Sequence, residues 1–336
     1  MSEQDVIALL ESRCGPLKER CTYTHGRLTG LSLAHCWLQD LPSELGELAH
    51  LEELYVTDNY LTQLPSTIGA LTHLKVLSVS SNRLTQLPSE LGELAHLEEL
   101  HVADNLLTQL PSELGRLTNL KQFYLYDNQL ERLPQEIGQL VNLEVLGLDD
   151  NPLTFLPAEL GKLLHLQRLT CFDCQLVTFP PEISLLTSLV SLTLSGNHLA
   201  ALPADIGQLR QLQYLDLSHN DLDRLPPQIG QLSNVRELNL TENRLESLPP
   251  EMGRLEALEI LSLYYNHLTT LPAELGQLTH VKQLGIAGNP LKAIPSEMKN
   301  LAALQDLILD TPLFDLLPEE VIQFLDRQKV VLTVEP

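Results

Sequence analysis

The chain repeats itself every 23 residues, without insertion or deletion, from Leu28 to Asp326. Thirteen units of the form LxxLxLxxNxLxxLPxxLGxLxx run end to end, starting at Leu28, Leu51, Leu74, Leu97, Leu120, Leu143, Leu166, Leu189, Leu212, Val235, Leu258, Val281 and Leu304. A fixed period of this length means that each unit buries its apolar face only against its neighbours, as in a solenoid. A length of 336 residues would ordinarily divide into about two domains, but the unbroken register predicts one elongated domain with two ends. The period accounts for nearly every apolar residue, so whatever it leaves unconstrained must carry function.

Numbering each unit from 1 to 23 gives every position a physical task. Positions 4 and 6 are apolar at period two, from Leu31 and Leu33 to Leu307 and Leu309, which predicts a strand with one buried face. Stacked strands would form one parallel sheet spaced about 4.8 Å apart. Position 9 is Asn in ten units, from Asn59 to Asn289, while Cys36, Cys174 and Pro312 replace it in the others. An Asn amide offers two donors and an acceptor to buried turn backbone, so a ladder of them is expected. Position 15 is Pro in all thirteen units, which suits the first turn of a short helix. Position 17 is acidic in eleven, placing a carboxylate near the positive end of that helix. Glycine at position 19, as in Gly46 and Gly92, is expected to let the outer segment turn tightly.

These residues, typified by LPSELGELAHLEELYVTDNYLTQLPSTIGAL, resemble the 23-residue leucine-rich repeats of the Ras-group type. Such repeats occur in the Ras-suppressor protein, erbin, scribble, plant intracellular Ras-group-related proteins and many bacterial repeat proteins. The match covers 299 of the 336 residues. The resemblance implies an α/β fold: a right-handed solenoid with a parallel sheet on the concave face and short helices or 3-10 turns on the convex face. It also implies a non-catalytic binding scaffold, with a small GTPase or a phosphatase as a candidate signalling partner.

The ends depart from the repeat. Residues 1–27 are expected to form an N-terminal cap, with EQDVIALLESR (3–13) as an amphipathic helix through Val6, Ile7, Leu9 and Leu10. A membrane or partner helix is the alternative. Residues 28–326 carry the thirteen repeats, the last one cap-like, with EEVIQFLDRQ (319–328) as a longer closing helix. Residues 327–336 form a tail in which VVLTV (330–334) is expected to add a strand.

No run approaches the roughly 18–20 apolar residues that a membrane span needs. The first ten residues carry acids and no basic region, so no secretory signal is expected and the chain is read as cytoplasmic. A secreted effector or a surface receptor remains the alternative. The formal charge of −23 opposes nucleic-acid phosphate and anionic membrane and favours a basic protein partner. A monomer is expected.

Five cysteines, at 14, 21, 36, 171 and 174, make an odd count without paired clusters, arguing against a secreted disulfide framework. Cys14 and Cys21 are expected as free thiols, and would pair with each other or with Cys36 only if the chain were exported. Cys171-Phe172-Asp173-Cys174 spells CxxC, yet Cys171 stands at a core position and Cys174 on the Asn ladder, so a structural role is expected. His50, His73 and His96 all occupy position 23, where Asn119, Asn142, Asn234 or Ser188 stand elsewhere, so a polar loop residue is expected rather than a metal ligand. No phosphate loop, kinase signature, HExxH or GxSxG elbow occurs, and no enzyme activity, cofactor or metal is expected.

The fold leaves positions 3, 5, 7 and 8 free on the sheet face. They hold thirteen acids and a single base, Arg168. They also hold seven of the fifteen aromatic residues: Tyr55, Tyr124, Tyr126, Phe172, Tyr214, Tyr264 and Tyr265. Aromatics dominate interface hot spots. The densest group predicts the partner-binding residues: Tyr124, Tyr126, Asp127, Asp149, Asp150, Arg168, Phe172 and Asp173. The opposing reading is that aromatics simply favour strands and that Asp at position 8 helps the turn.

Overall fold

The computed structural model describes residues 1–335. Pro336, the last residue of the expected tail, lies outside the described residues. The chain groups into two compact units, Met1–Leu169 and Thr170–Pro336. Each is a stack of three-residue strands on one face and five-residue 3-10 turns on the other.

In the first unit, helix α1 (Glu3–Cys14) opens the chain. Its N-cap is Ser2, whose hydroxyl accepts from the Asp5 amide while the Asp5 carboxylate accepts from the Ser2 amide. This reciprocal box satisfies amides that a helix start would otherwise leave bare. Val6 and Leu10 are fully buried, and Ile7 and Leu9 are partly covered. The sequence pattern did not show the hairpin that follows. Strand β1 (Cys21–Thr24) pairs antiparallel with β2 (Arg27–Ser32), so the first pairing of the expected parallel sheet is antiparallel. Then come β3 (Glu53–Tyr55), β4 (Val76–Ser78), β5 (Glu99–His101), β6 (Gln122–Tyr124) and β7 (Val145–Gly147), all parallel and in register at intervals of 23. The boundary between the units falls inside β8 (Arg168–Thr170).

The second unit continues with β9 (Ser191–Thr193), β10 (Tyr214–Asp216), β11 (Glu237–Asn239), β12 (Ile260–Ser262), β13 (Gln283–Gly285) and β14 (Asp306–Asp310). These are parallel throughout. The last repeat leaves the pattern at a short helix α2 (Thr311–Phe314), which takes in Pro312 where Asn would stand. Helix α3 (Glu319–Gln328) coincides with the expected closing helix and buries Val321 and Leu325. β15 (Val331–Glu335) then pairs parallel with β14.

The Asn ladder is present, and its bonds are the ones its chemistry requires. In the first unit, the Asn128 amide nitrogen donates to the Val102 carbonyl at 3.1 Å and to the Leu125 carbonyl at 3.0 Å. Its oxygen accepts from the Leu107 amide at 3.0 Å. Each rung thus ties its own turn to the turn before it, and every ladder Asn is buried. Two amides lack a following Asn, because Cys174 and Pro312 stand in its place. Those amides, Leu153 and Leu291, turn back to the Asn151 and Asn289 carbonyls of their own turns.

Two outer-face expectations change. Position-15 proline is the residue before the 3-10 turn, not its first member: Pro42 has φ −67° and ψ 144°, and its carbonyl accepts from the Leu45 amide at 3.1 Å. The ring fixes the extended entry and frees the carbonyl to close the turn. Position-19 glycine is required by close approach rather than by turning. A Cβ on Gly92 would sit 2.4 Å from the Glu113 carbonyl oxygen of the next turn, and one on Gly230 would sit 2.2 Å from that of Glu251. Where Ser184 replaces this glycine, its hydroxyl is buried without a hydrogen-bond partner.

Two outcomes are expected. Asn128→Ala strips a buried turn of its partners and lowers the unfolding free energy by roughly 1–3 kcal/mol, read by denaturant melts. Gly92→Ala forces two stacked turns apart and costs about 1–3 kcal/mol. A Gly92→Ala melt equal to wild type would show that the outer turns are loosely stacked.

Candidate protein-interaction surface

The sheet face is built by alternation. Within each strand, position 4 is buried while positions 3 and 5 point out, so Gln122 and Tyr124 flank the fully buried Phe123. In the first unit this places His101 beside Tyr124 across the β5–β6 pair. Their rings stack at 4.7 Å between centroids, and Tyr124 meets Tyr126 edge-on at 6.4 Å. Tyr124 donates its hydroxyl proton to the Gln122 side chain at 3.0 Å. The result is one aromatic row, His101–Tyr124–Tyr126, ending at a Tyr126 side chain that is 40% exposed. His101 and Gln122 were missed from sequence. The signal for His101 was its place at position 5, one repeat before Tyr124.

Carboxylates stand beside the outward aromatic residues of this face. Glu99 faces His101 at 3.4 Å and Glu53 accepts from the Tyr55 hydroxyl at 3.3 Å. Burial first, and the Glu53 carboxylate second, push the Tyr55 phenol above its ordinary pKa. Asp127 and Asp150 are exposed, Asp149 is partly covered, and Arg168 is exposed at the start of β8. Of the eight expected residues, Tyr124, Tyr126, Asp127, Asp149, Asp150 and Arg168 therefore lie on the first unit, and Phe172 and Asp173 on the second.

Part of the acidity has a backbone cause. Position 8 adopts a left-handed conformation: φ is 56° at Asp58, 52° at Asp104, 53° at Asp127, 54° at Asp150 and 46° at Asp173, with Gly196 and Gly288 in equivalent places. Asp tolerates this region better than most residues, so those carboxylates answer first to the turn. The acids at positions 3, 5 and 7 carry no such requirement, Asp149 among them.

In the second unit, Phe172 is exposed next to Asp173. Tyr214 donates to Asp216 at 3.3 Å, and burial followed by that carboxylate pushes its phenol to about 12. Asp216 also accepts from the Ser218 amide and hydroxyl. Tyr264 covers Gly285, where a Cβ would meet the ring at 2.0 Å, and Tyr265 covers Gly288. Tyr265 holds φ 50° at position 8, an unusual state for an aromatic residue, and is 54% exposed.

The flanking rows are chemically different. Position 2 neutralises itself: Lys75 bonds Glu52 at 2.6 Å and Lys121 bonds Glu98 at 2.6 Å, each hydrogen bond raising the ammonium pKa. These pairs are exposed and contribute little to stability. Position 23 acts as a backbone donor: Asn119, Asn142 and Asn234 bond carbonyls 24 residues back, and His165 sits 3.0 Å from the Val141 carbonyl. His50, His73 and His96 hold the same position, with successive centroids 6.0 and 6.4 Å apart. Among the described residues no group of three or more His, Cys, Asp and Glu is arranged to hold a metal, and no helix is long and apolar enough to cross a membrane.

A family model for the leucine-rich repeat region matches residues 14–126, 182–264 and 227–315. The chain belongs to the leucine-rich repeat family. A leucine-rich repeat protein of Leptospira interrogans is similar at 35% identity and a TM-score of 0.82, over 91% of this chain and 83% of that one. The plant peptide hormone receptor RGFR1, in complex with RGF2, is similar at 31% identity and a TM-score of 0.75, over 87% of this chain and 53% of the receptor. The chain thus spans about half of that receptor. An internalin of Listeria monocytogenes, at 20% identity and a TM-score of 0.74 over 99% of this chain and 89% of that one, shares the fold. No curated protein sequence matches the chain. The leucine-rich repeat fold is typical of protein–protein interaction.

Proposed function

We propose that the chain is a non-catalytic binding module whose sheet face takes a protein or peptide partner of basic character. The observation that carries this reading is the aromatic row His101–Tyr124–Tyr126, half-buried at His101 and Tyr124 and exposed at Tyr126, set among carboxylates on rigid strands. Rigid presentation limits the entropy lost on binding. The aromatics supply affinity, while Asp149, Asp150, Glu53 and Glu99 supply steering toward a basic partner. Solved relatives in complex with peptide hormones, RGFR1 with RGF2 and the Arabidopsis receptor kinase HAESA with IDA, support a peptide segment as the occupant. The repeat motif itself supports a Ras-group type of repeat, and with it a signalling scaffold in the cytoplasm that engages a small GTPase or a phosphatase. The receptor likenesses favour the second reading, a secreted or surface-displayed module.

Affinity capture from a cell lysate followed by mass spectrometry tests the reading. Wild-type protein is expected to retain a basic partner that Tyr126→Ala loses, with Phe172→Ala testing the second unit separately. Circular dichroism of both variants should be unchanged. Asp149→Lys with Asp150→Lys is expected to slow association about 10-fold or more at low salt and to flatten its salt dependence. Wild-type capture by all these variants would move the binding surface off this face.

A further inference from the structure

Cys171 and Cys174 form a disulfide, with 5.7 Å between their Cα atoms. The expectation from sequence placed the two cysteines in structural roles without linking them. The link follows from the repeat: positions 6 and 9 both point inward and face each other across the turn, as the Asn197 amide does when it reaches the Leu194 carbonyl at 3.0 Å. The separation lies within the ordinary range for a disulfide. This is the only repeat with Cys at both positions.

We propose that this pair is a redox-controlled rung of the ladder. Cys174 stands where ten other repeats hold the turn with Asn. A thiol there offers one weak donor and a weak acceptor in place of an amide's two donors and an acceptor. The covalent bond fastens the turn in a different way, by tying position 9 directly to position 6. It closes a loop containing only Phe172 and Asp173, two of this repeat's outward residues, with Asp173 in the left-handed region. The backbone path is the ordinary one: the Cys171 amide donates to the Thr193 carbonyl at 2.9 Å and the Asp173 amide to the Ser195 carbonyl at 3.0 Å. The oxidised repeat therefore keeps two of the ordinary bonds to the following repeat, and the reduced repeat loses its covalent fastening.

The switching step is thiol–disulfide exchange with a dithiol whose oxidised form is a stable ring, such as dithiothreitol. One dithiol sulfur attacks a cystine sulfur and the S–S bond breaks to a mixed disulfide. The second dithiol sulfur then displaces it, leaving two cysteine thiols and an oxidised, cyclic reductant. Both protons pass from the reductant to the cysteines. The two sulfurs belong to buried residues, at 0% and 4% exposure, so exchange requires local opening and the state is set chiefly by the medium in which the chain folds. Cys14, Cys21 and Cys36 are free, which leaves the dithiol one target in the chain.

Hydrogen exchange of the intact protein tests this without any partner, so its outcome is independent of the binding proposal. The reduced form is prepared by refolding in dithiothreitol, and the gain of two hydrogens is confirmed by intact mass. Amides of the Cys171–Cys174 segment are expected to exchange roughly five- to tenfold faster in the reduced protein, with distant repeats unchanged. Cys171→Leu with Cys174→Asn, which restores the repeat's usual residues, is expected to show the slow rate with or without dithiothreitol. Equal protection in oxidised and reduced wild type overturns the proposal. So does a double variant that still responds to the reductant.

Discussion

The interaction on which the rest depends is the position-9 side-chain amide. Strands of three residues satisfy few backbone groups, and the chain then turns into the interior, where bare amides and carbonyls cost about 1–3 kcal/mol each. Asn59 shows the solution in full. Its nitrogen donates to the Leu33 and Val56 carbonyls, and its oxygen accepts from both the Cys36 and the Leu38 amides. With polar groups paired, leucine can fill the remaining interior: Leu54, Leu61, Leu71 and Leu74 are all fully buried. The outer turns then close on one another so tightly that a Cβ on Gly92 or Gly230 would run into the next turn's backbone.

This division of labour determines what the surface can do. Interior and turn positions are spoken for, so chemical variety collects on outward positions of the strands. There the requirements of fold and partner overlap. Asp58, Asp104 and Asp127 serve a left-handed turn and also add negative charge. Glu53 and Glu99 lie on strands outside the left-handed position, which makes them the sharper indicators of a basic partner. The aromatic residues are sharper still, because Tyr126 in the row and Tyr55 on β3 both keep more than a third of their surface exposed.

Much of this was legible in the sequence because the repeat supplies its own controls. Thirteen aligned units separate required residues from tolerated ones, which is why the strand residues, the Asn bonds and the helix Glu319–Gln328 could be read directly. The failures came where the repeat gives no second example. The β1–β2 hairpin precedes the register, and no periodicity marks Cys21–Thr24 as a strand. The Cys171–Cys174 link occurs once and depends on two inward positions meeting across a turn. Glycine at position 19 was visible, but its cause was not, since the backbone it avoids, such as the Thr67 or Glu113 carbonyl, belongs to the next unit. The candidate surface was legible in composition and not in pairing: that His101 stacks on Tyr124 is a fact about neighbouring strands.

The central claim is that the amide ladder, rather than leucine packing alone, fixes each turn. Native-state hydrogen exchange of the position-11 leucines tests it most directly. The Leu61, Leu84, Leu107 and Leu130 amides donate to Asn82, Asn105, Asn128 and Asn151 side chains. They should be protected as strongly as strand amides, and Asn105→Leu should release the Leu84 amide while leaving Leu130 slow. If Leu84 stays as protected in Asn105→Leu as in wild type, apolar packing holds the turn and the ladder account is wrong.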